Sequence, residues 1–114
     1  MEDCIFCKII AGDIPSQKVY EDEYVLAFRD VNPVCAFHVL VVPKIHICCA
    51  NKITEENSLY VAKIFEAIAK ITKAEGISED GYRVINNCGT FCGQTVKHLH
   101  FHILGGQQLP MNII

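Results

Sequence analysis

The segment His98-Leu99-His100-Phe101-His102-Ile103 constrains this chain more than any other stretch. Strict alternation is the period of a β-strand, whose successive side chains point to opposite faces. The spacing predicts a last strand over 96–104, with Leu99, Phe101 and Ile103 on a face that packs into the core. The other face carries three imidazoles, from a chain with only 5 His. A solvated polar face would also alternate, but it would draw on Thr, Lys and Glu as readily as on His. A metal site made by these three alone is disfavoured. Same-face neighbours on one strand stand roughly 7 Å apart, too far to converge on one tetrahedral ion. Phosphoryl chemistry suits the row better: near neutral pH one ring can attack phosphorus while a neighbour carries a proton. Gly93-Gln94-Thr95 directly precede the segment, and such a loop can turn backbone N–H groups and a hydroxyl toward phosphate oxygens.

Upstream, hydrophobic spacing predicts one long helix and several strands. Val61, Ile64, Phe65, Ile68 and Ile71 fall at helical intervals, with Lys63, Glu66, Lys70 and Lys73 off the stripe. Thr54 is the expected N-cap, Glu55 and Glu56 suit the positive helix end, and Gly76 closes it. A short helical turn after Cys4 has Phe6, Ile9 and Ile10 as its apolar side, broken by Gly12 and Pro15. Residues 18–21, 24–29, 38–42 and 82–86 read as strands, and Pro43 ends the third. Several strands, a long helix, then two more strands predict an α+β fold: an antiparallel sheet of about five strands with a helix packed on it.

The 114 residues fit one domain over 1–114, and 51% hydrophobic with 20% charged residues suits a globular core. With 10 Lys+Arg against 13 Asp+Glu the net charge is -3. That balance gives no footprint for nucleic acid or an anionic membrane surface, while backbone N–H groups and histidines can still hold a nucleotide phosphate locally. No stretch is long and apolar enough to span a bilayer. The acidic start Met1-Glu2-Asp3-Cys4 lacks a signal peptide's basic region, so a cytoplasmic protein with reduced thiols is expected. Five of its 7 Cys (Cys35, Cys48, Cys49, Cys88 and Cys92) are read as structural.

The run from Gly93 to Gly106, GQTVKHLHFHILGG, resembles the signature of the histidine triad (HIT) family, in its nucleotide-binding branch. Three more segments match in order: Cys4 to Ile10, Leu26 to Val31 and His38 to Lys44. The resemblance implies a HIT-like fold, a homodimer, and hydrolysis of purine nucleoside phosphoramidates or adenylyl conjugates. It implies His100 as the nucleophile that forms a nucleotidyl-histidine, and His98 and His102 as flanking groups that contact phosphate. It also implies Asp30 on the ribose hydroxyls, with Ile14, Phe28 and Val31 beside the sugar or base. Asn87, Gly93, Gln94 and Thr95 are implied to hold the phosphate and leaving group. Read from the residues alone, Asp30 and Asn87 are turn residues. The tail Gln107 to Ile114, with no Trp in the chain, departs from the family's usual ending, as does Arg29 where some members carry His.

Cys4-Ile5-Phe6-Cys7 is half of a tetrahedral zinc site. His46 and His98 would complete it, a ligand set that occurs in some members the chain resembles. The plain alternative is two buried thiols at the base of a short helix; a redox pair lacks its usual βαβ surroundings. If His98 binds a structural zinc, it is not a free acid or base. His38 is either a core histidine or a group that orients His100. Two further readings stay open: a dinucleoside polyphosphate hydrolase or nucleotidyl transferase, and a non-catalytic nucleotide- or zinc-binding partner protein.

Overall fold

In a computed structural model that describes residues 3–112, the elements run α1 (Ile5–Ala11), β1 (Lys18–Glu21), β2 (Val25–Arg29), β3 (Phe37–Pro43), α2 (Ser58–Glu75), β4 (Arg83–Ile85) and β5 (Phe101–Gly105). Every strand pairing is antiparallel, in the order β1-β2-β3-β5-β4. This is the expected α+β architecture, with five strands, one long helix and one short one.

Alternation along the central strands builds two cores. Val25, Ala27, Val39, Val41 and Ile103 face α2 and meet Ile64, Ala67, Ile68 and Ile71. Burial of each such aliphatic side chain contributes roughly 1.5–3 kcal/mol, so the helix stripe, more than intrinsic helicity, fixes α2 to the sheet. Leu26, Phe28, Leu40 and Val42 face the other way and meet Phe6 and Ile9 of α1. A helix of 7 residues has little stability alone. These two apolar anchors hold it, the Cys4 Sγ accepts the Cys7 N–H at 3.3 Å, and Gly12 closes it at a φ of 87° that other residues resist.

Two expectations are corrected. Thr54 is not the N-cap: it sits one turn upstream, where its hydroxyl accepts from the Glu56 N–H, and α2 begins after Asn57. The local Thr54 turn competes successfully with helix here. The last strand begins at Phe101, not at residue 96. Before Phe101 the chain is tied by single bonds, such as Leu99 N–H to the Ile47 carbonyl at 2.6 Å, and not by a sheet ladder.

Candidate active site and metal centre

The sheet face that α1 leaves uncovered opens into a cavity of about 1010 Å³. Strand alternation aims His38, Leu40 and Phe28 into it, and His102, opposite Leu40 in the ladder, joins them. His100 reaches it from the segment before β5. Of the residues expected to bind a nucleotide, Ile14, Phe28, Asp30, Val31, Thr95, His100 and His102 all line this one cavity. Asn87, Gly93, Gln94 and His98 are not on its wall. The Gln94 side chain is buried and spent on the protein: its Oε1 accepts from the Gly89 N–H, and its Nε2 donates to the Cys48 and Val96 carbonyls. It thereby ties the loop before Thr95 to the segment after β3.

Each imidazole's tautomer follows from what its nitrogens face. The His100 Nδ1 lies 2.7 Å from the His98 carbonyl oxygen. A carbonyl only accepts, so Nδ1 carries the proton and Nε2 keeps a free lone pair. The Val34 backbone N–H donates to the His38 Nδ1 at 3.2 Å, which places the His38 proton on Nε2. That Nε2–H meets the His102 Nδ1 at 2.9 Å and the Asp30 Oδ2 at 3.3 Å. His102 in turn has its proton on Nε2. His38 therefore touches His102, and not His100 as one reading expected. Burial pushes His38 below its ordinary value and His102 down to about 4, so this pair is neutral near neutral pH.

His98 is fully buried away from the cavity. Its Nε2 donates to the Pro43 carbonyl at 3.0 Å, which leaves the Nδ1 lone pair facing Cys4 Sγ at 3.3 Å and Cys7 Sγ at 3.5 Å. His46 Nδ1 lies 3.3 Å from Cys7 Sγ. The four donor atoms are all within 4.8 Å of one another. Tetrahedral zinc with bonds of about 2.3 Å to sulfur and about 2.05 Å to nitrogen would set S···N separations near ~3.6 Å. The observed spacing is close to that, the donor set is soft, and a carbonyl orients the His98 ring from behind, as is usual for metal-bound histidines. Burial and the neighbouring Cys4 push the Cys7 thiol up to about 11 without an ion; a bound cation would reverse that.

Asp30, His38 and His102 form a second close group of donors. It does not suit a metal. The Val34 N–H occupies the His38 Nδ1, so the Nε2 that faces the group bears a proton and has no lone pair to give.

Sequence reading missed two contacts that hold His100. Phe6 packs edge-on against His98 and His100 at centroid distances of 5.9 and 5.1 Å. Asn86 donates its side-chain amide to the His100 carbonyl at 2.9 Å. Gly93, at a φ of 79°, turns the chain out of the Thr90–Cys92 turn toward Thr95. The glycine leaves a local signal and was expected in this loop, whereas the contacts of Phe6 and Asn86 depend on tertiary approach.

The HIT domain family model matches residues 11–109 of this chain. The purine nucleoside phosphoramidase of Escherichia coli K12 is 45% identical over 111 residues, covering 96% of this chain and 93% of that protein. A histidine triad protein from Clostridium difficile superposes with a TM-score of 0.93 at 55% identity, covering 96% of each chain. A HIT family hydrolase from Clostridium thermocellum gives 0.96 at 46%, covering 100% of this chain and 99% of that one.

Proposed function

This chain belongs to the HIT domain family, and on that premise we propose that it hydrolyses purine nucleoside phosphoramidates and related adenylyl conjugates through a nucleotidyl-histidine on His100. The observation that carries the reading is the 2.7 Å contact between His100 Nδ1 and the His98 carbonyl. It leaves the opposite nitrogen unprotonated on a ring that lines the cavity, which is what a nucleophile at phosphorus needs.

In the reaction, the His100 Nε2 lone pair attacks phosphorus. The P–N bond breaks and the amine leaves with a proton, for which the Thr95 hydroxyl at the cavity wall is the relay. Water then cleaves the P–His100 bond and yields the nucleoside monophosphate. Catalysis of this kind rests on positioning and on stabilising charge at the phosphoryl oxygens. His102, with its proton on the nitrogen away from His38, supplies a donor for that charge. Asp30 accepts from the ribose hydroxyls, and Ile14, Phe28 and Val31 enclose the sugar and base. Gly93 acts from behind the wall, by shaping the loop that carries Thr95.

Cys4, Cys7, His46 and His98 hold a structural zinc in this reading; when bound, the ion cross-links α1 to the start of the histidine segment. Reduced thiols at such a site belong in a reducing compartment, in keeping with the cytoplasm. A homodimer is part of the same proposal. Strand β4 is a sheet edge, and Leu59 and Phe65 of α2 are about half exposed, surfaces that a two-fold partner would cover.

The test is turnover of a panel: adenosine and guanosine phosphoramidates, a diadenosine polyphosphate and a nucleotide sugar. The two phosphoramidates are expected to be turned over with the highest kcat/KM. Preference for the polyphosphate or the nucleotide sugar would favour the sister activities instead.

A further inference from the structure

Among the described residues, Ser16 has the only buried side-chain oxygen or nitrogen without a hydrogen-bond partner. An orphaned polar atom in a native fold calls for an explanation, and here its position supplies one. Ser16 lies in the wall of the cavity, as Asp30 does. Lys18 opposes Phe28 in the β1–β2 ladder, and the Arg29 N–H donates to the Gln17 carbonyl at 2.9 Å. Carried past the ends of both strands, that register would set Ser16 opposite Asp30. Opposed residues of an antiparallel pair hold their Cβ atoms about 4.5–5.5 Å apart. Yet the Asp30 carboxylate takes its bonds from the Asn32 N–H and faces His38, and no bond joins it to the Ser16 hydroxyl.

Two polar groups of the cavity wall thus come near each other without satisfying each other. Their chemistry is complementary: an ionised carboxylate only accepts, whereas a hydroxyl both donates and accepts. The geometry points to Ser16 as a specificity-determining residue that, together with Asp30, holds the vicinal hydroxyls of a ribose. Each sugar hydroxyl offers one proton and an oxygen lone pair. Asp30 takes protons, and Ser16 provides the donor to a sugar oxygen that a carboxylate cannot. Ser16 as a whole is only half-buried, and the assignment has a change of χ1 between staggered positions bring its hydroxyl to the ligand. The assignment rests on the reading of Asp30 as the ribose acid, and its consequence is discrimination against deoxynucleotides at both groups.

The test is calorimetric binding of AMP, 2'-deoxy-AMP and 3'-deoxy-AMP to the wild-type protein and to Ser16→Ala, with melting curves of both. Ser16→Ala is expected to bind AMP about 3–10-fold more weakly, the worth of one hydrogen bond. It should bind one of the two deoxy nucleotides as the wild type does, and melt no lower. An equal loss for all three nucleotides would show that the hydroxyl serves the base or the fold, and would overturn the inference. So would unchanged AMP binding, or a wild-type protein indifferent to both sugar hydroxyls. Because binding is read without turnover, ribose selectivity in a protein that hydrolyses no phosphoramidate would sink the hydrolase reading alone.

Discussion

The backbone carbonyl of His98 accepts the proton on His100 Nδ1 at 2.7 Å, while the ring of the same His98 turns its own Nδ1 to Cys4 and Cys7. One residue therefore both fixes the His100 ring and belongs to the Cys4–Cys7–His46–His98 cluster. The expected consequence is a fixed tautomer. In nitrogen-resolved NMR at neutral pH, His100 should show a protonated Nδ1 and an unprotonated Nε2. A proton on Nε2 would remove the lone pair the mechanism uses.

The proposed zinc site predicts composition and stability. Purified protein should carry about one zinc per chain, as a closed four-ligand site does. Cys4→Ser should lose the metal and lower Tm by more than about 5 °C, a shift on the order of one or two kcal/mol for a domain of this size. Elemental analysis and calorimetry check it; a metal-free protein whose melting ignores chelators contradicts it.

Stability should fall on acidification through the His38–His102 pair. Burial holds both below the ordinary value, His102 at about 4, whereas in the unfolded chain each takes up its proton near ~6.5. Between these values the unfolded state binds more protons, so the contribution is complete above pH ~6.5 and lost as pH drops toward ~4. Urea midpoints from pH 7.5 to 4.5 should decline, and His102→Gln should flatten part of that slope. An unchanged slope in the variant would show that the pair is not held neutral.

Gln94→Ala separates a structural role from a phosphate contact. The buried amide makes bonds to Gly89, Cys48 and Val96, and truncation strands all three partners. A loss of roughly 2–3 kcal/mol in urea unfolding is expected, with kcat reduced through displacement of Thr95. Wild-type stability with weakened nucleotide binding would instead place Gln94 on the phosphate.

The residues that could be read in advance are those whose roles follow from local periodicity or a compact signature. The Val61-to-Ile71 stripe marks α2, the run from His38 to Val42 marks a central strand, and the histidine segment marks β5 and the turn into it. The antiparallel sheet and the placing of Ile14, Phe28, Asp30 and Thr95 around one cavity follow the family resemblance, whereas the order of strands within the sheet has no local signal. What could not be read was direction within the segment. Spacing puts His98, His100 and His102 in one row. Only packing against Cys4, Cys7 and Phe6 shows that the first ring is drawn out of the cavity, and only the Val34 N–H decides which His38 nitrogen is protonated. The Thr54 cap was misread because two turn-forming residues, Thr54 and Asn57, compete within one turn, and nothing local tells which begins the helix.

The most direct test of the account is the covalent intermediate. Adenosine phosphoramidate mixed with excess enzyme, quenched within milliseconds and digested at neutral to alkaline pH, should yield a peptide carrying one adenylyl group on His100, formed and consumed at rates that match turnover. His100→Ala should give no adduct and lower kcat by at least about 10³-fold, while still binding AMP. An adduct on another residue, or near-normal turnover by His100→Ala, would contradict the assignment of His100 as nucleophile.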